Sequence, residues 1–169
     1  GDANFTAANG IVGGDGTAAN PYVLAGWEID ASSSHGIEVR DTRVHFVIWD
    51  VYVHSGRFDW YGIALGNVTN GRIERASLRD NLVGVFFRDS ANLAIAGVEA
   101  VDRDGIWLVG TANATVSLSD FSYNGRGLLI SQSANIVVLD NSFPRSTEIG
   151  VLLQYSTNVT LRRNRFEQN

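Results

Sequence analysis

A four-residue pattern, glycine followed by an apolar residue, any residue and a second apolar residue, occurs six times in this chain. The copies start at Gly36, Gly62, Gly84, Gly105, Gly127 and Gly150, at intervals of 26, 22, 21, 22 and 23 residues. A fixed period of roughly 20–50 residues is typical of stacked repeat proteins. This period therefore constrains the fold more than any other feature of the sequence.

A second signature follows each glycine from the second copy onward, where an Asn is followed three residues later by an apolar residue. These residues are Asn70, Asn92, Asn113, Asn135 and Asn158. Apolar and polar residues alternate with period two around both signatures, which predicts short β-strands. Asn accepts a left-handed backbone, so we expect the recurring Asn to form an inward-facing ladder at a corner. The recurring Gly is expected to relieve the turn before its strand.

Such short strands cannot form a stable sheet within one copy, but each can pair in parallel with its counterpart in the next copy. The sequence therefore predicts an all-β fold, a right-handed, single-stranded parallel β-helix of about seven coils with roughly 22 residues per coil. We expect one domain over 1–169, with a lead-in and first coil in 1–35 and six repeats in 36–169.

The two ends of the predicted solenoid differ from its middle. In the first coil, one set of apolar residues has the spacing of a later set: Leu24, Trp27 and Ile29 match Phe46, Trp49 and Val51. This match predicts that Trp27 and Trp49 stack in one core column. The last residues stop in the middle of a coil, which leaves strand edges that invite pairing. We expect either that the chain is excised from a longer one or that another molecule covers this end.

Composition excludes several classes of function. The chain carries 13 basic and 18 acidic residues, for a net charge of −5, and phosphate binding needs a basic surface. Nucleic acid is therefore not expected as a partner. No apolar run approaches the roughly 20 residues of a membrane-spanning helix. Every basic residue is Arg and Cys is absent, which removes Lys as a catalytic base and thiolate as a metal ligand.

The two signatures together, at a period of about 22 residues, resemble the right-handed parallel β-helix repeats of the NosD-like, carbohydrate-binding and sugar-hydrolase group. The resemblance covers 36–169. The lead-in segments 14–17 (GDGT) and 26–30 (GWEID) are similar to the opening of secreted archaeal β-helix repeat proteins. The resemblance implies a β-helix at an extracellular or cell-surface location. Members of the group include polysaccharide lyases, hydrolases, epimerases, adhesive surface proteins and factors implicated in copper delivery.

The residue between the two apolar positions of each copy points outward from the first sheet. This column contains Glu38, Ala64, Phe86, Trp107, Leu129 and Leu152. Its last four residues predict an exposed apolar stripe, and such stripes usually contact something. The longest copy also carries an aromatic insertion in the same neighbourhood, which we expect to fold over the stripe or to bind a partner. The candidate binding residues are Phe58, Trp60, Tyr61, Phe86, Trp107, Leu129 and Leu152.

Three interpretations of this surface stay open. It is an interface for another protein chain or for self-association, a glycan-binding surface that stacks sugars on its aromatic rings, or a stripe simply covered by the insertion. Catalysis of the polysaccharide lyase or hydrolase kind would need charged groups beside it, and the weak candidates are Asp102, Asp104, Arg88 and Arg126. We favour a non-catalytic binding, adhesive or assembly role, with a carbohydrate-active module as the alternative.

The sequence predicts no metal centre. The three histidines belong to one copy but fall on different faces of the predicted coil: His35, His45 and His54. We expect them to be solvated. Because Cys and Met are both absent, the copper-delivery role of NosD-like proteins is not carried over. Ca²⁺, bound by Asp15 or by Asp102 and Asp104, is the one cofactor that the acidic residues permit.

Four sequons for N-glycosylation occur, and they start at Asn4, Asn67, Asn113 and Asn158. Asn113 and Asn158 also belong to the recurring Asn signature, which gives them a structural explanation. The sequons therefore add no weight to a secreted location.

Overall fold

A computed structural model describes residues 1–168 and confirms the predicted parallel β-helix. Two short 3-10 helices, Asp2–Asn4 and Ala7–Asn9, precede the strands. In chain order the strands are β1 Ile11–Gly13, β2 Tyr22–Ala25, β3 Glu28–Asp30, β4 Ile37–Thr42, β5 Phe46–Trp49, β6 Tyr52–His54, β7 Tyr61–Val68, β8 Gly71–Glu74, β9 Ser77–Arg79, β10 Val83–Arg88, β11 Ala91–Ala96, β12 Glu99–Val101, β13 Asp104–Val109, β14 Ala112–Ser117, β15 Arg126–Ser131, β16 Ala134–Leu139, β17 Ile149–Gln154 and β18 Thr157–Arg162.

The strands stack into three sheets, one on each side of the coil. Sheet 1 has the order β4-β7-β10-β13-β15-β17, and sheet 2 has the order β1-β2-β5-β8-β11-β14-β16-β18. Sheet 3 has the order β3-β6-β9-β12, and isolated bridges continue its column through Asp120, Ser142 and Arg165. Strand β1 runs antiparallel to β2, whereas the coil-to-coil pairs are parallel. Six coils therefore have all three sides, and a partial coil precedes them.

The parallel register places like residues on like in the core. Ile63, Val85, Ile106 and Leu128 follow one another along sheet 1, and each is fully buried. Burying a side chain of this size contributes roughly 1.5–3 kcal/mol. Further along the chain, the rings of Phe121 and Phe143 stack at 5.3 Å between centroids. The core is therefore a set of columns parallel to the solenoid axis.

The repeat glycines have a steric role that differs from the expected relief of a turn. Gly84, Gly105 and Gly127 do not have positive φ angles. A Cβ at Gly105 would lie 2.5 Å from the carbonyl oxygen of Gly127, and one at Gly84 would lie 2.8 Å from that of Gly105. Glycine is needed because consecutive coils approach too closely for any side chain.

The recurring asparagines form the predicted ladder, but the ladder faces outward and the inward prediction was wrong. The Nδ2 group of each Asn donates to Oδ1 of the preceding one, at 3.4, 3.3, 2.9 and 2.7 Å along the series. The φ angles lie between 51° and 62°, in the left-handed region. The series is Asn70, Asn92, Asn113, Asn135 and Asn158. At a corner with this backbone the side chain projects into solvent, and from Asn92 onward the ladder is exposed.

The predicted tryptophan column of the first coil was also wrong. Tyr22 pairs with Phe46 and Ala25 pairs with Trp49, so the register differs by two residues from the predicted match. Trp27 and Trp49 are exposed, at 47% and 38%. The physical reason is coil length, because 24 rather than 22 residues separate Tyr22 from Phe46 at this point of the solenoid.

Candidate functional site

The outward column of sheet 1 has the register that the sequence predicts. Phe86 pairs with Trp107, Trp107 with Leu129, and Leu129 with Leu152 across four consecutive coils. All four side chains are half-buried. The preceding position, Ala64, is buried at 6% exposure, so the apolar column effectively begins at Phe86.

Aromatic side chains extend this column toward the N-terminal coils. The Tyr61 ring lies 4.7 Å from that of Phe86, and the Phe86 ring lies 6.0 Å from that of Trp107 in an edge-on arrangement. Edge-on and tilted pairs at these distances are favourable beyond the burial of their area. The name aromatic face is used below for Tyr61, Phe86, Trp107, Leu129 and Leu152.

His35 belongs to this surface, which the sequence interpretation missed. Its ring stacks on Tyr61 at 4.7 Å with an interplanar angle of 3°, and Trp60 meets it edge-on at 5.3 Å. The backbone N–H of Tyr61 donates to Nδ1 of His35 at 3.1 Å, which fixes Nδ1 as the unprotonated nitrogen. His35 is therefore half-buried rather than solvated. The available signal was its position, since His35 precedes Gly36 as Tyr61 precedes Gly62.

A charged pair borders the aromatic face at Trp107. Arg126 donates from Nε and a terminal nitrogen to the two oxygens of Asp104, at 2.9 and 2.8 Å. Its backbone N–H also donates to Asp104, at 3.0 Å. These hydrogen bonds raise the pKa of Arg126. The Asp104 side chain is only 2% exposed, so this bidentate pair is largely desolvated.

The same arginine also contacts the indole ring. The guanidinium carbon of Arg126 lies 5.0 Å from the centre of the Trp107 ring, within the range of a cation–π contact. The indole nitrogen of Trp107 is buried and has no hydrogen-bond partner among the described residues. An unsatisfied donor of this kind costs about 1–3 kcal/mol. Trp107 thus combines a partly exposed ring with an N–H that lacks an acceptor.

The insertion divides between two surroundings. Trp60 and Tyr61 join the rings just described, but Phe58 is 72% exposed. The Phe58 ring lies 6.0 Å from the guanidinium carbon of Arg103, on the corner that precedes β13. The structure therefore brings six of the seven candidate binding residues to one side of the solenoid, with Phe58 contacting Arg103.

The four charged candidates fall into three separate networks. Asp102 is buried inside the corner between sheets 3 and 1, and this burial raises the pKa of its carboxyl group to about 7. Asp104 and Arg126 bind each other beside Trp107. Arg88 is exposed and pairs with Asp89 at 3.3 Å. The carboxyl groups of Asp102 and Asp104 thus serve different contacts and do not form the facing pair of a glycoside hydrolase.

A cavity of about 490 Å³ opens at the N-terminal end of the solenoid, and no sequence pattern indicated it. It exists because sheet 1 begins only at β4, which leaves apolar residues of the first coil without a covering strand. Its wall includes Phe5, Ile11, Leu24, Trp27, Ile29 and Ile37. The ion pair of Glu38 and Arg40 also lines it. Its volume lies within the roughly 300–1,000 Å³ of small-molecule sites.

The donors that could hold a metal ion are dispersed. Within residues 1–168, no three or more His, Cys, Asp or Glu side chains group together as a metal site would require. His54 lies beside Ser55, at 2.7 Å from its hydroxyl, and 3.5 Å from Glu28. Asp15 is exposed and accepts the backbone N–H of Thr17 at 3.0 Å, so it acts as a turn cap.

The comparisons with known proteins give one match. The family model described as periplasmic copper-binding protein (NosD) matches residues 26–169. No curated protein and no solved structure was found to match. The described part of the chain forms no helix that could cross a membrane. The dispersed histidines, together with the absence of Cys and Met, do not fit a copper centre, and no copper chemistry is derived for this chain. Since the match covers all but the lead-in, this chain belongs to the NosD family of periplasmic β-helix repeat proteins.

Proposed function

We propose that this protein is a secreted or cell-surface β-helix protein that binds a partner through the aromatic face of sheet 1 without catalysing a reaction. The observation that carries this proposal is the in-register column from Phe86 to Leu152, which is half-exposed. The solenoid is held by backbone pairing and by its inward columns. An outward column could be polar throughout, so its apolar residues indicate a contact surface.

Another protein chain, or a second copy of this one, is the partner that this chemistry favours. Aromatic rings, Leu and Arg are enriched at the centres of protein interfaces, and Arg126 and Trp107 combine both kinds of side chain. The last coil offers a continuous extension of the same surface. Ile149 and Leu153 on β17 are exposed at 38% and 46%, beside Leu152.

Glycan binding is the second candidate, and Trp107 is the observation that favours it. A sugar ring stacks on an exposed aromatic face, and its hydroxyl groups accept hydrogen bonds from donors such as the unpartnered indole N–H. Arg126 lies beside the ring as a further donor. A lyase or hydrolase activity gains less support, because Asp102 is enclosed in the corner and Asp104 already binds Arg126.

The extracellular or cell-surface location is likewise proposed. Its support is the periplasmic description of the family, together with the absence of Cys, which frees the fold from any dependence on the redox state of its compartment.

The test uses charge substitutions that the fold tolerates, because they point outward. Leu129→Glu and Leu152→Glu place carboxylates on the aromatic face, while Val137→Glu makes the same kind of change on sheet 2, where Val137 is 37% exposed. Circular dichroism checks that each variant is folded. Light scattering over a concentration series measures association, and retention on a panel of immobilised polysaccharides measures glycan binding.

The two candidates give different results. If the face is a protein interface, the parent protein associates and the two leucine variants are monomeric, with Val137→Glu unchanged. If the face binds glycan, the parent is monomeric and retained, and Trp107→Phe, which keeps a ring but removes the N–H, weakens retention. A monomeric parent that no polysaccharide retains and no protein partner binds would contradict the proposal.

A further inference from the structure

Three buried side chains occupy equivalent positions at the corner between sheets 3 and 1 in successive coils. They are Asn81, Asp102 and Asn124, with exposures of 1%, 8% and 0%. Oδ1 of Asp102 accepts the backbone N–H and the Nδ2 group of Asn81, at 2.8 and 2.9 Å. The backbone N–H of Asp102 donates to Oδ1 of Asn124 at 2.6 Å. Asp102 therefore takes the place of an amide in an inward ladder.

Each amide of this ladder also donates to a carbonyl group of the core. Nδ2 of Asn81 donates to the carbonyl oxygen of Val53 at 3.3 Å. Nδ2 of Asn124 donates to the carbonyl oxygen of Ala100 at 3.0 Å. One N–H of each side chain thus reaches back to a strand of sheet 3, which ties the corner to the core.

The corresponding group of Asp102 is its second carboxyl oxygen. Val53, Leu78 and Ala100 are paired residues of consecutive strands, so the carbonyl of Leu78 is the counterpart for Asp102. Oδ2 of Asp102 is buried and accepts no hydrogen bond from the described residues. An ionised carboxylate would therefore leave this oxygen unsatisfied opposite another acceptor, whereas a protonated one has an O–H to donate.

We propose that the folded protein carries Asp102 as a neutral carboxylic acid that donates to the Leu78 carbonyl, and that its ionisation weakens this corner as the pH rises. The device is a rung of the solenoid that is complete only when it is protonated. It lies in the coil that also holds Trp107, so it acts at the centre of the protein rather than at a frayed end.

The surroundings of Asp102 agree with a neutral group. Its packed neighbours Asn81, Asn124 and Gly84 are uncharged, and a Cβ at Gly84 would lie 2.4 Å from Oδ2. Two charged residues of the preceding coil act on it in opposite directions, since Asp80 raises and Arg79 lowers the pKa. Further along its own chain, Asp104 is held by Arg126. Burial is the largest cause, and it raises the pKa of Asp102 from 3.8 to about 7.

The direction of the pH effect follows from proton linkage. Between about pH 4 and 7 the folded protein holds the Asp102 proton while the unfolded chain has released it, so stability falls as the pH rises. The contribution is fully present below about pH 4 and is lost once the pH exceeds about 7. At most, the unfolding equilibrium constant rises about tenfold per pH unit across this window, or about a thousandfold in total.

The experiment compares urea unfolding of the parent protein and Asp102→Asn from pH 4 to 8. Asn restores the N–H donor at every pH, so the two proteins should unfold alike near pH 4 and diverge toward pH 7, with the variant more stable. Asp59→Asn changes the net charge equally on the exposed insertion and should show no such divergence. The double variant Asp102→Asn/Asn124→Asp moves the acid by one coil and should restore the pH dependence.

A second measurement does not depend on stability. In a ¹³C NMR titration of the labelled carboxyl groups, the signal that is missing in Asp102→Asn should be that of a protonated acid at pH 5, where exposed carboxyl groups are ionised. A gap between the parent and Asp102→Asn that stays constant with pH, or an Asp102 carbon signal that is already ionised at pH 5, would overturn the proposal.

Discussion

Arg126 places its guanidinium over the ring of Trp107, which lies in the preceding coil, and holds this position through two hydrogen bonds to Asp104. The contact joins the strands β13 and β15 on the outside of the solenoid, where backbone pairing alone does not fix side chains. It orients the most prominent ring of the aromatic face. The pair therefore makes the surface rigid as well as linking two coils.

Removing the arginine should destabilise the fold strongly for a surface residue. Arg126→Ala leaves the Asp104 carboxylate buried without its cation, and we expect a loss of about 2–4 kcal/mol in the free energy of unfolding. Asp104→Asn combined with Arg126→Gln should lose less than the two single changes added together. Urea denaturation of the four proteins in this cycle measures the coupling. A loss below about 0.5 kcal/mol for Arg126→Ala would show that the pair is not desolvated.

A single methyl group should damage the corner at Gly105. The Cβ of Gly105→Ala would collide with the carbonyl oxygen of Gly127, and coils cannot separate without breaking the parallel pairing. We expect a loss of about 1–3 kcal/mol, measured by thermal or urea unfolding. Gly13→Ala is the matched control, because a Cβ there meets no atom within 4 Å and φ is not positive. Equal effects at the two positions would contradict the steric role of Gly105.

The phenylalanine column should show a gradient of stability. Phe143 is fully buried and stacks on both Phe121 and Phe166 at 5.3 Å, so Phe143→Ala should cost about 3–5 kcal/mol. Phe166 is 44% exposed and has one stacking partner in the column, so Phe166→Ala should cost roughly half as much or less. Urea denaturation of both variants tests this order. A larger loss for Phe166→Ala would mean that another contact holds the last coil.

The exposed asparagine ladder separates a backbone effect from a hydrogen-bond effect. Asn113 has φ of 54°, donates to Asn92 and accepts from Asn135. Asn113→Ala loses both bonds and forces Ala into the left-handed region, for an expected loss of about 1–2.5 kcal/mol. Asn113→Gly keeps the backbone conformation and should lose less. Should Gly and Ala prove equally destabilising in urea, the ladder would depend on its side-chain bonds alone.

The sequence predicts the solenoid and the outward column of sheet 1 because the glycine fixes a strand and the position of each residue within it. Once that register is set, the alternation of a strand decides which side chains point out. Phe86, Trp107, Leu129 and Leu152 were assigned to one column on this basis, and the structure pairs them as expected. Whether they bind a partner stays a prediction.

The errors arise where coil length or corner geometry changes. The first coil is two residues longer at Tyr22–Phe46 than the average period, and a sequence match made with the average period therefore shifts Trp27 and Trp49 into the core. At the Asn corner, period two does not apply, because a left-handed residue rotates its side chain out of the alternation. The stacking of His35 on Tyr61 also depends on side-chain orientation, which periodicity does not encode.

The parallel register has a consequence for how the molecule opens. Each strand of sheet 1 pairs with the strands directly before and after it, and the same holds along sheet 2. Energy is therefore exchanged between adjacent coils, and a disturbance weakens with distance along the axis. Loss of the last coil, where Leu153 and Phe166 are exposed, leaves the pairing of β4 with β7 intact. Amide exchange should then be graded along the axis, with the ends opening independently of each other and the middle opening last.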